Sequence, residues 1–112
     1  MISIAEEQRG EVTIVDVNGR VDSNTAKPFE EKLTSLFKSG RNRVVVDFKH
    51  IVYISSAGCR ALLLAGHMAE TSQGKLALCN LTADVLRIFE LGGLTDLFAI
   101  YPSREEGLAK LS

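Results

Sequence analysis

Two adjacent hydroxyls, Ser55 and Ser56, follow a short apolar segment, Ile51-Val52-Tyr53-Ile54, and sit at the mouth of what reads as a helix. That place decides what chemistry is open to them. The first N–H groups of a helix have no intrahelical acceptor, and the helix dipole is positive at that end, so an anion is favoured there. A serine hydroxyl so placed is suited to accept a phosphoryl group, which brings about −1.5 to −2 charges at neutral pH. Arg60 lies four residues beyond Ser56, close enough on one helix face to meet a phosphate. The plainer role for Ser-Ser at a helix start is an N-cap, and position alone favours it over a phosphoacceptor. Gly58 falls in the first turn, although glycine costs roughly 1 kcal/mol against alanine in a helix interior and less near an end. Close approach of another backbone accounts for it, as at a docking surface.

Other reactive side chains are sparse. His50 and His67 are the only imidazoles, and Cys59 and Cys79 stand apart with no metal-ligand or redox spacing. Both cysteines read as small buried hydrophobes. His50, just before the serines, has the position of a possible base but reads as a solvated loop residue; His67 reads as a surface residue of a helix. No G-x-S-x-G elbow, Gly-rich phosphate loop or H-E-x-x-H helix is present, so the pattern points away from an enzyme.

The elements that hold these residues follow from periodicity. Glu11 to Asn18 is rich in β-branched residues and reads as a strand ending in an Asn18-Gly19 turn. Ile2 to Glu6 forms a preceding strand, with Gln8-Arg9-Gly10 as the hairpin turn. Ala26, Phe29, Leu33, Leu36 and Phe37 recur at helical spacing, with Ser23, Asn24 or Thr25 as cap, Pro28 in or near the first turn and Ser39-Gly40 as terminator. Val44 to Phe48 reads as a central strand covered on both faces. Cys59 to Glu70 is the second helix, broken at Gly74, and Leu76 to Cys79 another buried strand. A third helix spans Thr82 to Leu91, with Val85, Phe89 and either Leu91 or Ile88 inward, and stops at Gly92-Gly93. Leu97 to Ile100 is the last strand, and Ser103 to Leu111 a final helix with Glu105 and Glu106 in its first turn. This alternation predicts an α/β domain with a mixed, mostly parallel sheet of about five strands and about four helices.

The chain's 112 residues fit one domain, expected to span 1–112. With 46% hydrophobic and 24% charged residues it has the balance of a soluble globular protein. A net charge of −1 and scattered lysines and arginines argue against nucleic acid or an acidic membrane surface as partner. No apolar run approaches the roughly 20 residues of a membrane span, and the first residues lack the pattern of a signal peptide, so a cytoplasmic protein is expected.

Three segments carry a resemblance to a family. The run Val45-Val46-Asp47-Phe48-Lys49-His50-Ile51-Val52-Tyr53-Ile54-Ser55-Ser56-Ala57-Gly58-Cys59-Arg60-Ala61-Leu62 resembles the STAS-domain signature V-x-D-L-S-x-V-x-Y-I-D-S-S-G-L-x-x-L. Asn18-Gly19-Arg20-Val21-Asp22 is similar to the family's G-x-[LV]-D element, and Phe89 to Phe98 to its F-x-x-x-G-L-x-x-L-F stretch. The resemblance implies a STAS-like fold and the role of an anti-sigma factor antagonist. Ser56 matches the family's phosphoacceptor, Ser55 stands where the family has aspartate, Ala57 where it has a second serine, and Gly58 matches its glycine. The missing aspartate leaves Ser55 as the alternative acceptor. Asp22 matches a family aspartate near the same surface and reads equally as a turn or cap residue. By this resemblance Asp22, Ser55, Ser56, Ala57, Gly58 and Arg60 form the partner-binding set. The implied partners are an anti-sigma factor that is also a serine kinase and a metal-dependent serine phosphatase, and the chain itself is expected to be a monomer with no cofactor or metal. The alternative is a STAS adaptor or scaffold subunit of a transport, secretion or signalling complex, without a phospho-switch.

Overall fold

The structure, a computed structural model, describes residues 2–112. Its elements run β1 (Ile2–Arg9), β2 (Val12–Val21), α1 (Ala26–Lys38), β3 (Arg43–Ile54), α2 (Ser56–Thr71), β4 (Lys75–Cys79), α3 (Ala83–Leu91), β5 (Ala99–Tyr101) and α4 (Arg104–Leu111). The five strands form one sheet in sequential order; β1 pairs antiparallel with β2 and every later neighbour is parallel. This is the α/β architecture with a mixed, mostly parallel sheet that the alternation predicts.

The pleat divides the core in two. Val15 and Val17 of β2, Val44, Val46 and Phe48 of β3 and Leu78 of β4 face α1, α2 and α3 in the larger cluster. Val12, Val45, Ala77 and Cys79 point the other way, where α4 covers them through Leu108 and Leu111 beside Tyr101 of β5. Both faces of the central strands are therefore covered, which is why Val44 to Phe48 is apolar almost without interruption.

The largest departure from the sequence reading is β3. Val44 to Phe48 and Ile51 to Ile54 are one strand of 12 residues, and His50, read as a loop residue, lies exposed within it. From Phe48 onward the buried positions are 48, 51 and 54, a spacing of three that does not look like a strand. The pairing with β2 gives the reason. It advances from Asp16↔Asp47 to Asn18↔His50 and from Gly19↔Ile51 to Arg20↔Tyr53, so β3 carries one extra residue at each step. Two bulges shift the alternation and keep Ile51 and Ile54 in the core while Val52, 66% exposed, is turned out.

β2 also runs past its expected end. Asn18-Gly19 is no turn: Gly19, at φ +120°, bends the strand, which continues to Val21 because β1 and β3 flank it on either side. The hairpin turn sits one residue later, at Gly10-Glu11, with Gly10 at φ +61°. α2 begins at Ser56 rather than Cys59. β5 is Ala99–Tyr101 rather than Leu97 to Ile100, with Leu97 left exposed, and Ile88 rather than the 83% exposed Leu91 turns inward on α3.

Candidate functional site

The two serines have separate roles. Ser55 is the N-cap of α2 in extended conformation: its Oγ accepts from Gly58 N–H at 3.3 Å, its carbonyl from Cys59 N–H at 2.9 Å, and its own N–H donates to Val21 O at 2.8 Å. Ser56 is the first helical residue. It is exposed, and its hydroxyl has no hydrogen-bond partner among the described residues. The structure thus gives the cap to Ser55 and leaves Ser56 open at the positive end of a 16-residue helix.

Gly58 explains how the serines are held. A Cβ at this residue would stand 2.7 Å from both Val21 Cγ1 and Ile54 Cγ1 and 3.1 Å from Val21 O. The expectation of an external docking surface at Gly58 is corrected: the residue is buried, and the close approach is that of the chain's own β2 and β3 ends. Glycine lets α2 start directly on the sheet, which places Ser55 and Ser56 where those two strands finish. Ala57 beside it is half-buried.

Asp22 follows Val21 and so stands next to this junction. Its Oδ1 accepts from Asn24 N–H at 3.0 Å and from Thr25 Oγ1 at 3.3 Å, while Arg20 Nε lies 3.8 Å from Oδ2. The Asn24 bond, helped by Thr25 and Arg20, holds its carboxyl below the usual range despite some desolvation. Asp22 is a turn residue that keeps one oxygen toward solvent and Arg20. Arg20 also lies over the Tyr53 ring, 4.6 Å from its centroid.

Next to Ser56 is an apolar hollow of about 380 Å³, walled by Ser56, Cys59, Arg60 and Leu63 of α2 on one side and by Ile88, Gly92 and Leu94 on the other. Arg60 is exposed and has no ion pair among the described residues. The sequence reading found Ser56 and Arg60 but missed the hollow. Its signal was present in Leu62-Leu63-Leu64, more apolar surface than one face of a helix can bury, and in Leu91 beside a glycine pair.

Neither histidine serves this site. His67 is exposed near Leu97 and Phe98. His50 lines a second, polar hollow of about 690 Å³ on the other face of the sheet, with Asp16, Asp47, Asn80 and Arg104. Asp47, 2% exposed, is the centre of that region. Its Oδ1 accepts from Lys49 N–H at 2.9 Å and Asn80 Nδ2 at 3.1 Å; its Oδ2 accepts from Arg104 Nε at 2.9 Å. Arg104 Nη2 reaches Asp16 Oδ2 at 2.9 Å. Burial opposes ionisation of Asp47, but these donors and the guanidinium outweigh it and hold the carboxyl below its ordinary range.

The site is thus an exposed serine at a helix mouth, beside an apolar hollow that Cys59 and Arg60 also line, on a small α/β unit. The comparisons place it. The STAS domain model matches residues 3–107, so the chain belongs to the STAS domain family. BtrV of Bordetella bronchiseptica, a relative assigned to the anti-sigma factor antagonists, is 38% identical over 96 residues, covering 86% of this chain and 83% of its own. The anti-sigma-B factor antagonist of Bacillus subtilis is 29% identical over 94 residues, covering 84% and 85%. Among solved structures, an anti-sigma factor antagonist from Mycobacterium paratuberculosis superimposes with a TM-score of 0.90 at 22% identity over 99% of this chain and 94% of that one. The phosphorylated form of the Bacillus cell fate determinant SpoIIAA gives 0.75 at 17% identity over 98% and 100%. These two likenesses are of fold.

Proposed function

We propose that this chain is an anti-sigma factor antagonist, a single STAS domain that acts by partner switching at Ser56. Unmodified, it binds an anti-sigma factor that is also a serine kinase, across Asp22, Ser55, Ser56, Ala57, Arg60 and the hollow between α2 and α3, with Gly58 supporting the surface from inside. Phosphorylation of Ser56 releases it, and a metal-dependent serine phosphatase restores it. The chain is the substrate of both enzymes and a regulator rather than a catalyst, working in the cytoplasm as a monomer.

The observation that carries this reading is the division of labour between the serines. Ser55 Oγ is occupied as a cap, and Ser56 is exposed on the rim of the hollow, its Oγ without a partner among the described residues. A dianion added there is tolerated by the free chain, where α2's dipole and Arg60 face it. In a close-packed interface the same charge is costly unless paired, and losing about 3 kcal/mol of binding weakens a complex roughly 150-fold.

Intact mass after incubation with ATP and the host's serine kinases tests the proposal, on wild type, Ser55→Ala and Ser56→Ala. One phosphate that is lost only in Ser56→Ala is the expected result. Loss only in Ser55→Ala would move the switch by one residue. No phosphate with any kinase, beside a stable partner indifferent to Ser56→Ala, would overturn the switch in favour of an adaptor.

A further inference from the structure

Asp47 is a buried carboxylate on the face of the sheet away from Ser56, and the proposed switch makes no use of it. Its bonds nevertheless lead to both walls of the hollow. Along β3, its Oδ1 takes the Lys49 N–H within the first bulge. That bulge sets the phase that brings Ile51 and Ile54 inward, and Ile54 is one of the two side chains against which Gly58, and so the start of α2, is packed. The second route passes through Asn80, whose amide bonds the same Oδ1. Asn80 holds a left-handed conformation, φ +57°, uncommon for a residue with a side chain. Two residues later Thr82 caps α3 by accepting from Val85 N–H at 3.3 Å. At the far end of α3, Phe89 meets Phe48 edge to face at 6.1 Å, and Leu94 N–H returns to Phe89 O at 2.8 Å. Leu94 and Ile88 are the wall opposite Ser56. Arg104, the first residue of α4, clamps Asp47 and Asp16 together and so holds the carboxylate in the one place from which both routes start.

We infer that Asp47, clamped by Arg104, is the positioning residue of the Ser56 site, setting the spacing of the α2 and α3 walls of the hollow from the opposite face of the sheet. Its effect on partner binding rests on the reading of that hollow as the partner surface; its effect on the hollow does not. Two discrete changes test the arrangement, one on the Asn80 route alone and one on the clamp from which both routes start. Asn80→Gly removes the amide while keeping a residue at ease with positive φ. Arg104→Gln removes the clamp, and Arg104→Lys keeps its charge without the planar fork.

Cys59 is a native reporter, because the residue lines the hollow with Ser56 and Leu63 and is only 8% exposed. The experiment is labelling of the full chain with 5,5′-dithiobis(2-nitrobenzoic acid) in native buffer, with peptide mapping to separate Cys59 from Cys79. Urea titration of each variant supplies the part of the rate due to global unfolding. Asn80→Gly and Arg104→Gln are expected to label Cys59 about tenfold faster than wild type beyond that part, within the span of network mutations that act at a distance, with Arg104→Lys between. Labelling that rises only as far as global unfolding accounts for would overturn the inference and leave the network as a tie for α4. If no kinase modifies Ser56 and Cys59 still responds, the proposed switch fails while the positioning role stands.

Discussion

The two faces of the sheet carry two concave regions of opposite character. Around Asp47, a carboxylate, an amide, a backbone N–H and a guanidinium are joined at 2.9–3.1 Å, and no buried side-chain nitrogen or oxygen among the described residues lacks a partner. Around Ser56 the polar atoms are few and open, the walls are apolar, and a hydroxyl and a guanidinium that have no partner among the described residues share the rim. A satisfied buried network holds structure together, because a group whose partner is lost keeps its desolvation cost. An open apolar hollow stabilises the free chain little and has its surface left to give to something else. The comparison separates what this domain uses to stay folded from what it presents.

The widest break in that comparison should come from Asp47→Ala. It leaves the Asn80 amide and the Lys49 N–H without this acceptor and Arg104 with Asp16 as its remaining short partner, and losing several bonds to one charged group costs about 3 kcal/mol, read as a fall in the urea midpoint. The same carboxylate gives the region an acid limit. Its folded value is depressed below the ordinary value of about 3.9, so its stabilisation is complete above that pH and is lost as pH falls through the folded value. Acid titration of stability should therefore flatten in Asp47→Asn, and an unchanged profile would remove Asp47 from the network's energetics.

Gly58→Ala comes next. The added methyl meets Val21 and Ile54 at 2.7 Å, and overpacking of this kind costs about 1–3 kcal/mol, measurable in the same titration. A variant as stable as wild type would mean that α2 does not start hard against the sheet. The two serines then sharpen the comparison to adjacent atoms. Ser55→Ala should lose about 1 kcal/mol as a cap, whereas Ser56→Ala should stay within about 0.5 kcal/mol. Equal losses would show that both hydroxyls serve the fold.

Much of this was legible along the chain. Phe29, Leu33, Leu36 and Phe37 mark α1 because helical periodicity is local, and Val44 to Phe48 marks a strand covered on both faces because such a strand has no polar side to show. The Ser55-Ser56 pair was legible as a helix mouth. Which serine caps was not, since an N-cap bond depends on where the first turn begins, and α2 begins at Ser56 rather than Cys59. The upper half of β3 was unreadable for a related reason. Its buried residues follow the register imposed by β2, and two bulges make that register differ from a simple alternation.

What the sequence by itself determined, then, is the order and kind of the elements, the family signature and the presence of serines at a helix start, because propensity and short-range patterns act between neighbours in the chain. The tertiary structure decided the rest: that Gly58 serves an internal contact, that Ser56 and not Ser55 is left open, that residues near positions 60 and 90 share one hollow, and that Asp47 meets an arginine 57 residues away. Each of these depends on how distant segments pack. A one-residue shift in strand pairing or helix start changes which atoms meet without changing any local pattern.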